Sequence, residues 1–534
     1  MALRACEGPT RDARGGFCDA TSRWGASREA PAHGGDGYTN GGIAVADFDG
    51  DGRLDLLVSV LGGPHPSLFL RRGDRYEERS AAWGLDAVSE ALSAAAADFD
   101  GDGDVDLALG SERSAPVRLL RNEGGRFREV VDALPGAVST VVIVPEDLDR
   151  DGQMDLLVGR YAEEGGGCEP LLFPDCPGGV DAWRQVAPWT FARVPVRAGA
   201  RYVQAIRVMD LDRDGRDEVL VGADFGMLRG GNQVLDVVLA AEGVSLRERA
   251  VAGLSPALFA MGVAPIDADG DGVDEVLVTN YGRNALLSRR GDAWVDVAAS
   301  LGADVYGFRL ARPVELPAFD PSGRWMGPMS AFSRAYLDER SAATPSTKWT
   351  PVVFDYDDDG REDVFLPAGE VGFGFLPEVS DASGTMLRGT GAGFEDVTRA
   401  LGLFERHDAR AAVAADLDGD GDLDLALFHT ASGRRGGGLR LLRNDASVGR
   451  SLTVIARGAG GARDGIGAVV TARVGGRIVR RRVEGNLSIY GTVPPRARFG
   501  LGDATVVDEV TVRFPSGAVR TRARVPAGEV VVSE

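Results

Sequence analysis

The chain has 534 residues, 44% of them hydrophobic, enough for a sizeable core, and this excludes wholesale disorder. Its formal charge of −21 argues against nucleic acid and against anionic membrane surfaces as partners. Glycine is abundant (74 residues) and aromatics make up only 7%, which suits many turns and short strands.

No long uninterrupted apolar run occurs, so no membrane-spanning helix is predicted. The first residues, MALRAC, lack the apolar region of a secretory signal. Leu3-Arg4-Ala5-Cys6 loosely resembles the end of a bacterial lipoprotein signal, which makes Cys6 a candidate lipid anchor, although Arg4 is atypical there. Residues 1–16 are read as a flexible tail. Lysine occurs once, at Lys348, and genomic base composition suffices to explain the preference for arginine.

From residue 47 a nine-residue pattern repeats seven times: DFDGDGRLD, DFDGDGDVD, DLDRDGQMD, DLDRDGRDE, DADGDGVDE, DYDDDGRED and DLDGDGDLD. Places 1, 3 and 5 are always Asp, place 6 is Gly, and place 9 is Asp or Glu. The acidic positions are Asp47, Asp49, Asp51 and Asp55 in loop 1, Asp98, Asp100, Asp102 and Asp106 in loop 2, and Asp147, Asp149, Asp151 and Asp155 in loop 3. Loop 4 has Asp210, Asp212, Asp214 and Glu218, and loop 5 has Asp267, Asp269, Asp271 and Glu275. Loop 6 has Asp355, Asp357, Asp359 and Asp363, and loop 7 has Asp416, Asp418, Asp420 and Asp424.

Each loop follows a run of small apolar residues (GGIAVADF at 41–48, LSAAAADF at 92–99) and precedes a β-type run (DLLVS at 55–59, DLALG at 106–110). A third run (LFLRR, RLLRN) and a fourth (YEERS, FREVV, WVDVA, FEDVT) complete the unit. Four short strands per repeat predict a propeller blade, and seven repeats predict an all-β, seven-bladed β-propeller over residues 17–446. The last unit lacks a fourth run, whereas FCDAT at 17–21 matches one. That segment is therefore expected to complete the seventh blade, which removes an exposed sheet edge.

Two insertions stand out. CEPLLFPDC spans Cys168 to Cys176, and two cysteines in one small loop suit a local disulfide in an oxidising compartment, the alternative being free thiols. Residues 303–347 carry Phe308, Trp325, Phe332 and Tyr336 among Pro, Gly and Ser, as an ordered, partner-facing loop would, the alternative being a mobile surface loop with its aromatics tucked underneath. From 449 the aspartate loops stop and arginines cluster. SLTVIAR, AVVTARV, RIVRRRVE and EVTVRF read as strands of a second, smaller β domain over residues 449–534.

Oxygen ligands without cysteine or histidine select a hard cation, and four carboxylates in one loop favour Ca²⁺ over Mg²⁺. About seven Ca²⁺ ions are thus expected, with all the acidic positions above as ligands. They would bring the formal charge from −21 to about −7. Place 2 is Phe48, Phe99, Leu148, Leu211, Ala268, Tyr356 or Leu417, all apolar, consistent with alternation between ion and core. An EF-hand is rejected because place 12 is Val58, Leu109, Val158, Val221, Val278, Leu366 or Leu427, where a bidentate Glu is required. Carboxylate cages of this kind leave little room for substrate, so the ions are read as structural.

The loops and their flanks resemble FG-GAP repeats, also described as VCBS-type repeats, found in the integrin α-subunit propeller. RDGIGAVVTARVGG (463–476) and FGLGDATVVDEVTVRFPSG (499–517) look like the ASPIC/UnbV domain. Together they resemble the cartilage acidic protein family and its bacterial relatives. The resemblance implies a secreted or surface-exposed Ca²⁺-binding propeller with adhesion or protein-interaction roles and no established chemistry. VEGNLSIYG (483–491) departs from the family, where relatives carry a Gly-rich segment ending in Tyr-Leu-Ser-Gln.

The Arg72-Gly73-Asp74 and Arg290-Gly291-Asp292 triplets fall where hairpin turns are expected and are read as turns. Asn486-Leu487-Ser488 fits a weak glycosylation triplet. No HExxH, GxSxG or GK[ST] motif occurs, and the four histidines are isolated. The expectation is a non-enzymatic, extracellular or cell-surface protein binding a protein or glycan partner. The alternatives are a secreted hydrolase or lyase on a propeller scaffold, and a scaffold that organises a larger surface complex through residues 449–534.

Overall fold

In each repeat the run before an aspartate loop pairs antiparallel with the run after it, as in Gly41–Ala46 with Asp55–Val60. The third and fourth runs add outward in order. A computed structural model describes residues 3–8, 15–30, 38–61, 63–111, 115–136, 139–161, 178–199, 202–224, 231–240, 243–254, 260–280, 282–305, 317–319, 325–328, 347–369, 383–404, 408–432 and 437–534. Among them, seven sheets share this four-strand core. Their innermost strands (41–46, 93–97, 140–146, 203–209, 260–266, 352–354 and 409–415) each touch the next, and the last touches the first. The result is an all-β ring of blades.

Phe17–Asp19 pairs antiparallel with Gly437–Asn444, with Phe17 opposite Asn444, so the N-terminal segment supplies the outer strand of the last blade as expected. Small residues line the inner strands because the axis is crowded: a Cβ on Gly42 would lie 2.1 Å from the Leu92 carbonyl oxygen. Apolar clusters fill the seams between neighbouring blades. Phe48, Leu57 and Leu68 of the first blade, for example, pack with Leu107, Leu120 and Phe127 of the second. Every place-2 side chain is buried, as alternation requires. The two RGD triplets lie at hairpin turns, with Gly73 and Gly291 both at φ 64°.

The C-terminal strands form a three-stranded and a four-stranded sheet around a core of Val454, Val470, Phe499, Val510 and Phe514. This unit docks on the face of the ring that carries the aspartate loops. Asp464 accepts a hydrogen bond from the Asp98 N–H (2.6 Å), and the Ala462 N–H donates to the Gly152 carbonyl (2.7 Å). Arg498 Nη2 donates to both carboxylate oxygens of Asp358 (2.9 Å each), and Arg482 pairs with Glu146 (2.8 Å).

One hairpin from this unit, Asn486–Thr492, enters the axis of the ring. Gly491–Thr492 pairs parallel with Ile43–Ala44, and the Ile43 N–H donates to the Tyr490 carbonyl (2.9 Å). The Asn486 amide donates to Ile143, Arg207 donates to the Asn486 carbonyl (2.9 Å), and Thr350 donates to the Ile489 carbonyl (2.9 Å). The divergent VEGNLSIYG segment is thus an axial plug touching most of the inner strands.

Several expectations are corrected. Cys6 is bonded to Cys18, so its sulfur is not a thiol open to acylation, and Ala5 bridges Asp19, which ties residues 3–8 to the last blade. Asn486 is buried among inner strands with its amide committed to Ile143, which leaves it no room for a glycan. Cys168 and Cys176 lie outside the described residues. Of the 303–347 insertion, Pro317–Phe319 pairs with Trp325–Pro328, and most of the remainder lies outside them.

Candidate metal centre

Each loop is drawn tight by its own carboxylates. Place 1 accepts the N–H of the place-6 glycine in all seven loops, at 2.7 to 3.2 Å. Place 9 accepts the place-2 N–H in all seven, at 2.9 to 3.1 Å. In five loops the other place-9 oxygen also accepts an N–H from the third strand, as from Asn122 to Asp106 (2.8 Å). Place 6 has φ between 79° and 102°, the left-handed region that glycine tolerates. Place 4 is also left-handed, and there three loops carry non-glycine residues: Arg150 (61°), Arg213 (64°) and Asp358 (55°).

These turns converge the carboxylates. Ligand atoms of Asp47, Asp49 and Asp55 all lie within 4.8 Å of one another, as do those of Asp98, Asp100 and Asp106, of Asp147, Asp149 and Asp155, and of Asp210, Asp212 and Glu218. In loop 5 the close set is Asp267, Asp269 and Asp271, while the Glu275 carboxylate caps the Ala268 N–H. In loops 1 to 4 the place-5 aspartate stays outside the close set, held by arginine: Arg53 and Arg72 on Asp51, Arg121 on Asp102, Arg184 on Asp151 and Arg216 on Asp214. Sequence reasoning missed these arginines.

The electrostatics are those of negative charge confined away from water. Burial first, then neighbouring carboxylates, push Asp55 up to about 7, Asp106 and Asp155 to about 8 and Asp363 to about 9, against the partial relief of backbone N–H donors. Asp424, fully buried, is raised well above the ordinary carboxylate value. One buried oxygen each on Asp49, Asp210, Asp267 and Asp357 has no hydrogen-bond partner. A buried acceptor of this kind is costly unless a cation or water satisfies it.

A second missed feature joins the blades beside the loops. The third-strand amides of Asn122, Gln185 and Asn444 reach back to the place-2 carbonyl of the preceding blade, Phe48 (2.9 Å), Phe99 (2.7 Å) and Tyr356 (2.8 Å). The residue pair after the third run (Arg-Asn, Arg-Gln) is the signal that marks them.

Residues 98–158 match the model of the FG-GAP-like repeat, and residues 458–533 match that of the ASPIC and UnbV domain. The chain is 23% identical over 526 residues to human cartilage acidic protein 1, covering 92% of this chain and 71% of that protein. Similar solved structures include an Agrocybe aegerita lectin described as recognising non-reducing terminal N-acetylglucosamine (13% identity, 78% of this chain and 93% of that one, TM-score 0.37). Another is YCF48 from Cyanidioschyzon merolae (9% identity, 78% and 98%, TM-score 0.37). At TM-scores this low the structural likeness carries no argument, and the fold rests on the sheets described above. No described helix is long and apolar enough to cross a membrane.

Proposed function

We propose that this chain is an extracellular, non-enzymatic propeller whose aspartate loops hold structural calcium ions and whose remaining surface binds a protein or glycan partner. The observation that carries the metal reading is the convergence of three carboxylates per loop together with orphaned buried oxygens on Asp49, Asp210, Asp267 and Asp357. Protein donors leave those four oxygens unsatisfied, which supports a hard divalent cation as their partner. Places 1, 3 and 9 would supply its ligands in loops 1 to 4, and places 1, 3 and 5 in loop 5. The same pattern extends to Asp355, Asp357, Asp359 and Asp363, and to Asp416, Asp418, Asp420 and Asp424. The bound ion contributes charge neutralisation; the chain's part is to orient the carboxylates through the place-1 and place-9 backbone bonds.

The extracellular reading rests on the Cys6–Cys18 disulfide, which suits an oxidising compartment, and on the similarity to cartilage acidic protein 1. The C-terminal unit covers the aspartate-loop face, so the partner surface is assigned to the opposite face, where the loops joining second to third strands emerge.

Calcium titration of resin-stripped protein tests the metal reading. The expected result is several bound ions per chain and a higher melting temperature, with magnesium a weak substitute. No uptake and an unchanged melt would overturn it.

A further inference from the structure

The seven loops differ in one respect that bears on cation affinity: whether an arginine already occupies the place-3 carboxylate. Arg72 pairs with Asp49 (2.5 Å), Arg121 with Asp100 (2.8 Å), Arg184 with Asp149 (2.5 Å) and Arg249 with Asp212 (3.2 Å). Among the described residues, no arginine pairs with Asp269, Asp357 or Asp418, the place-3 residues of loops 5, 6 and 7.

In loops 2, 3, 5, 6 and 7 the difference lies in the third-strand residue directly across from place 9; in loop 1 that residue is Leu70 and Arg72 reaches Asp49 instead, and in loop 4 it is Asp236, with Arg249 supplied by the fourth strand. In loops 2 and 3 the residue across from place 9 is Arg121 and Arg184, aimed at the loop. In loop 5 the register places Ser288 there, opposite Glu275. In loop 7 it is Arg443, which is drawn away by buried Asp445 (2.9 Å) and the Gly8 carbonyl (2.7 Å). In loop 6 it is Arg388, which donates to Glu395 (2.8 Å) and acts on Asp357 through space, not by a close pair. The N-terminal segment thus contributes to one loop without a place-3 arginine pair: Gly8, held near Cys6, helps to keep Arg443 off loop 7.

We propose that arginine pairing at place 3 sets a two-class calcium response: loops 5, 6 and 7, whose place-3 carboxylate pairs with no arginine among the described residues, bind tightly, and loops 1 to 4, whose place-3 carboxylate already pairs with one, bind weakly. The inference rests on the metal reading above. A guanidinium sharing a carboxylate with a dication repels it at short range and competes for the same oxygen. Near a protein surface this weakens binding by about tenfold or more.

The test is calorimetric titration of the stripped full-length chain with calcium chloride. The expected isotherm has two classes, three tight sites and four weak ones at least about tenfold apart. Arg121→Ser with Arg184→Ser should move two sites from the weak to the tight class. Ser288→Arg should move one the other way, and because the substitutions lie on different blades and act in opposite directions, either set suffices if the other fails to fold. Seven equivalent sites, or swaps that leave the distribution unchanged while calcium still binds, would overturn the proposal. Absence of any calcium binding would overturn the metal reading itself, and this inference with it.

Discussion

Removing divalent cations should reveal a fold that loses stability as pH rises, the reverse of the usual behaviour of carboxylates. Asp106, Asp155 and Asp363 are fully buried and held at about 8, 8 and 9, against 3.8 for the free group. Burial is the main cause. Between about pH 4 and pH 8 the folded chain keeps protons that the unfolded chain has released, so stability falls as pH rises through that window. For one such group the difference amounts to at most about 6 kcal/mol, at roughly 1.4 kcal/mol per pH unit. Water entry and loop relaxation reduce this to on the order of 3 kcal/mol. Over these three groups alone the reduced figure reaches about 9 kcal/mol, comparable with the roughly 5–15 kcal/mol that separates folded from unfolded states. The stripped chain at pH 8 must therefore retain these protons or open the loops. Calcium replaces the proton, so the loaded protein should show little change over the same range. Scanning calorimetry of stripped and calcium-loaded protein from about pH 5 to pH 8 makes the comparison. A stripped protein whose melting temperature stays flat or rises with pH would refute the electrostatic account of the loops.

Three further outcomes are expected. Asn122→Ala removes the amide that satisfies the Phe48 and Val105 carbonyls, and two buried acceptors left without donors should cost about 1–3 kcal/mol, read as a lower denaturation midpoint. Asp358→Gly relieves a left-handed backbone but strands Arg498, so the docked C-terminal unit should loosen by roughly 3 kcal/mol, seen as faster proteolysis between residues 445 and 450 while the propeller strands stay protected. Truncation after residue 448 withdraws the axial hairpin, and the shortened chain should aggregate or melt well below the full chain in place of yielding an intact free propeller. Circular dichroism and size exclusion would show a well-folded ring if that expectation is wrong.

The repeat was legible because a nine-residue rule leaves little freedom: alternation sends places 1 and 3 one way and place 2 the other, and Phe48, Phe99 and Tyr356 are buried accordingly. Closure by FCDAT was legible from a missing fourth run and a spare matching one. Other features had no comparable signal. The left-handed place 4 was hidden because Arg150, Arg213 and Asp358 stand where the other four loops have glycine. The place-5 aspartates look like ligands in sequence, yet in loops 1 to 4 arginines hold them aside. Close spacing drew attention to Cys168 and Cys176, whereas Cys6 and Cys18 become partners because the Ala5–Asp19 bridge lays the first residues along the last blade. The axial hairpin was least accessible, since Asn486 meets Ile143 and Arg207 across hundreds of residues, a tertiary contact with no local pattern.

Both chain ends are therefore used to secure the ring, and they act at different radii. The N-terminal strand joins the rim by pairing with Gly437–Asn444, so opening the last blade requires losing that edge. The C-terminal hairpin enters the hub, where inner strands are too small-sided to fill the axis themselves; Ile489 and Tyr490, both buried, take up that space. Tyr490 does so at φ 61°, a left-handed conformation disfavoured by roughly 1–3 kcal/mol in a non-glycine residue. Strain at that residue is tolerated because the surrounding strands over-determine its position: Ile43 holds its carbonyl and Thr350 holds that of Ile489. An axis plugged in this way does not serve as a ligand channel from the aspartate-loop face.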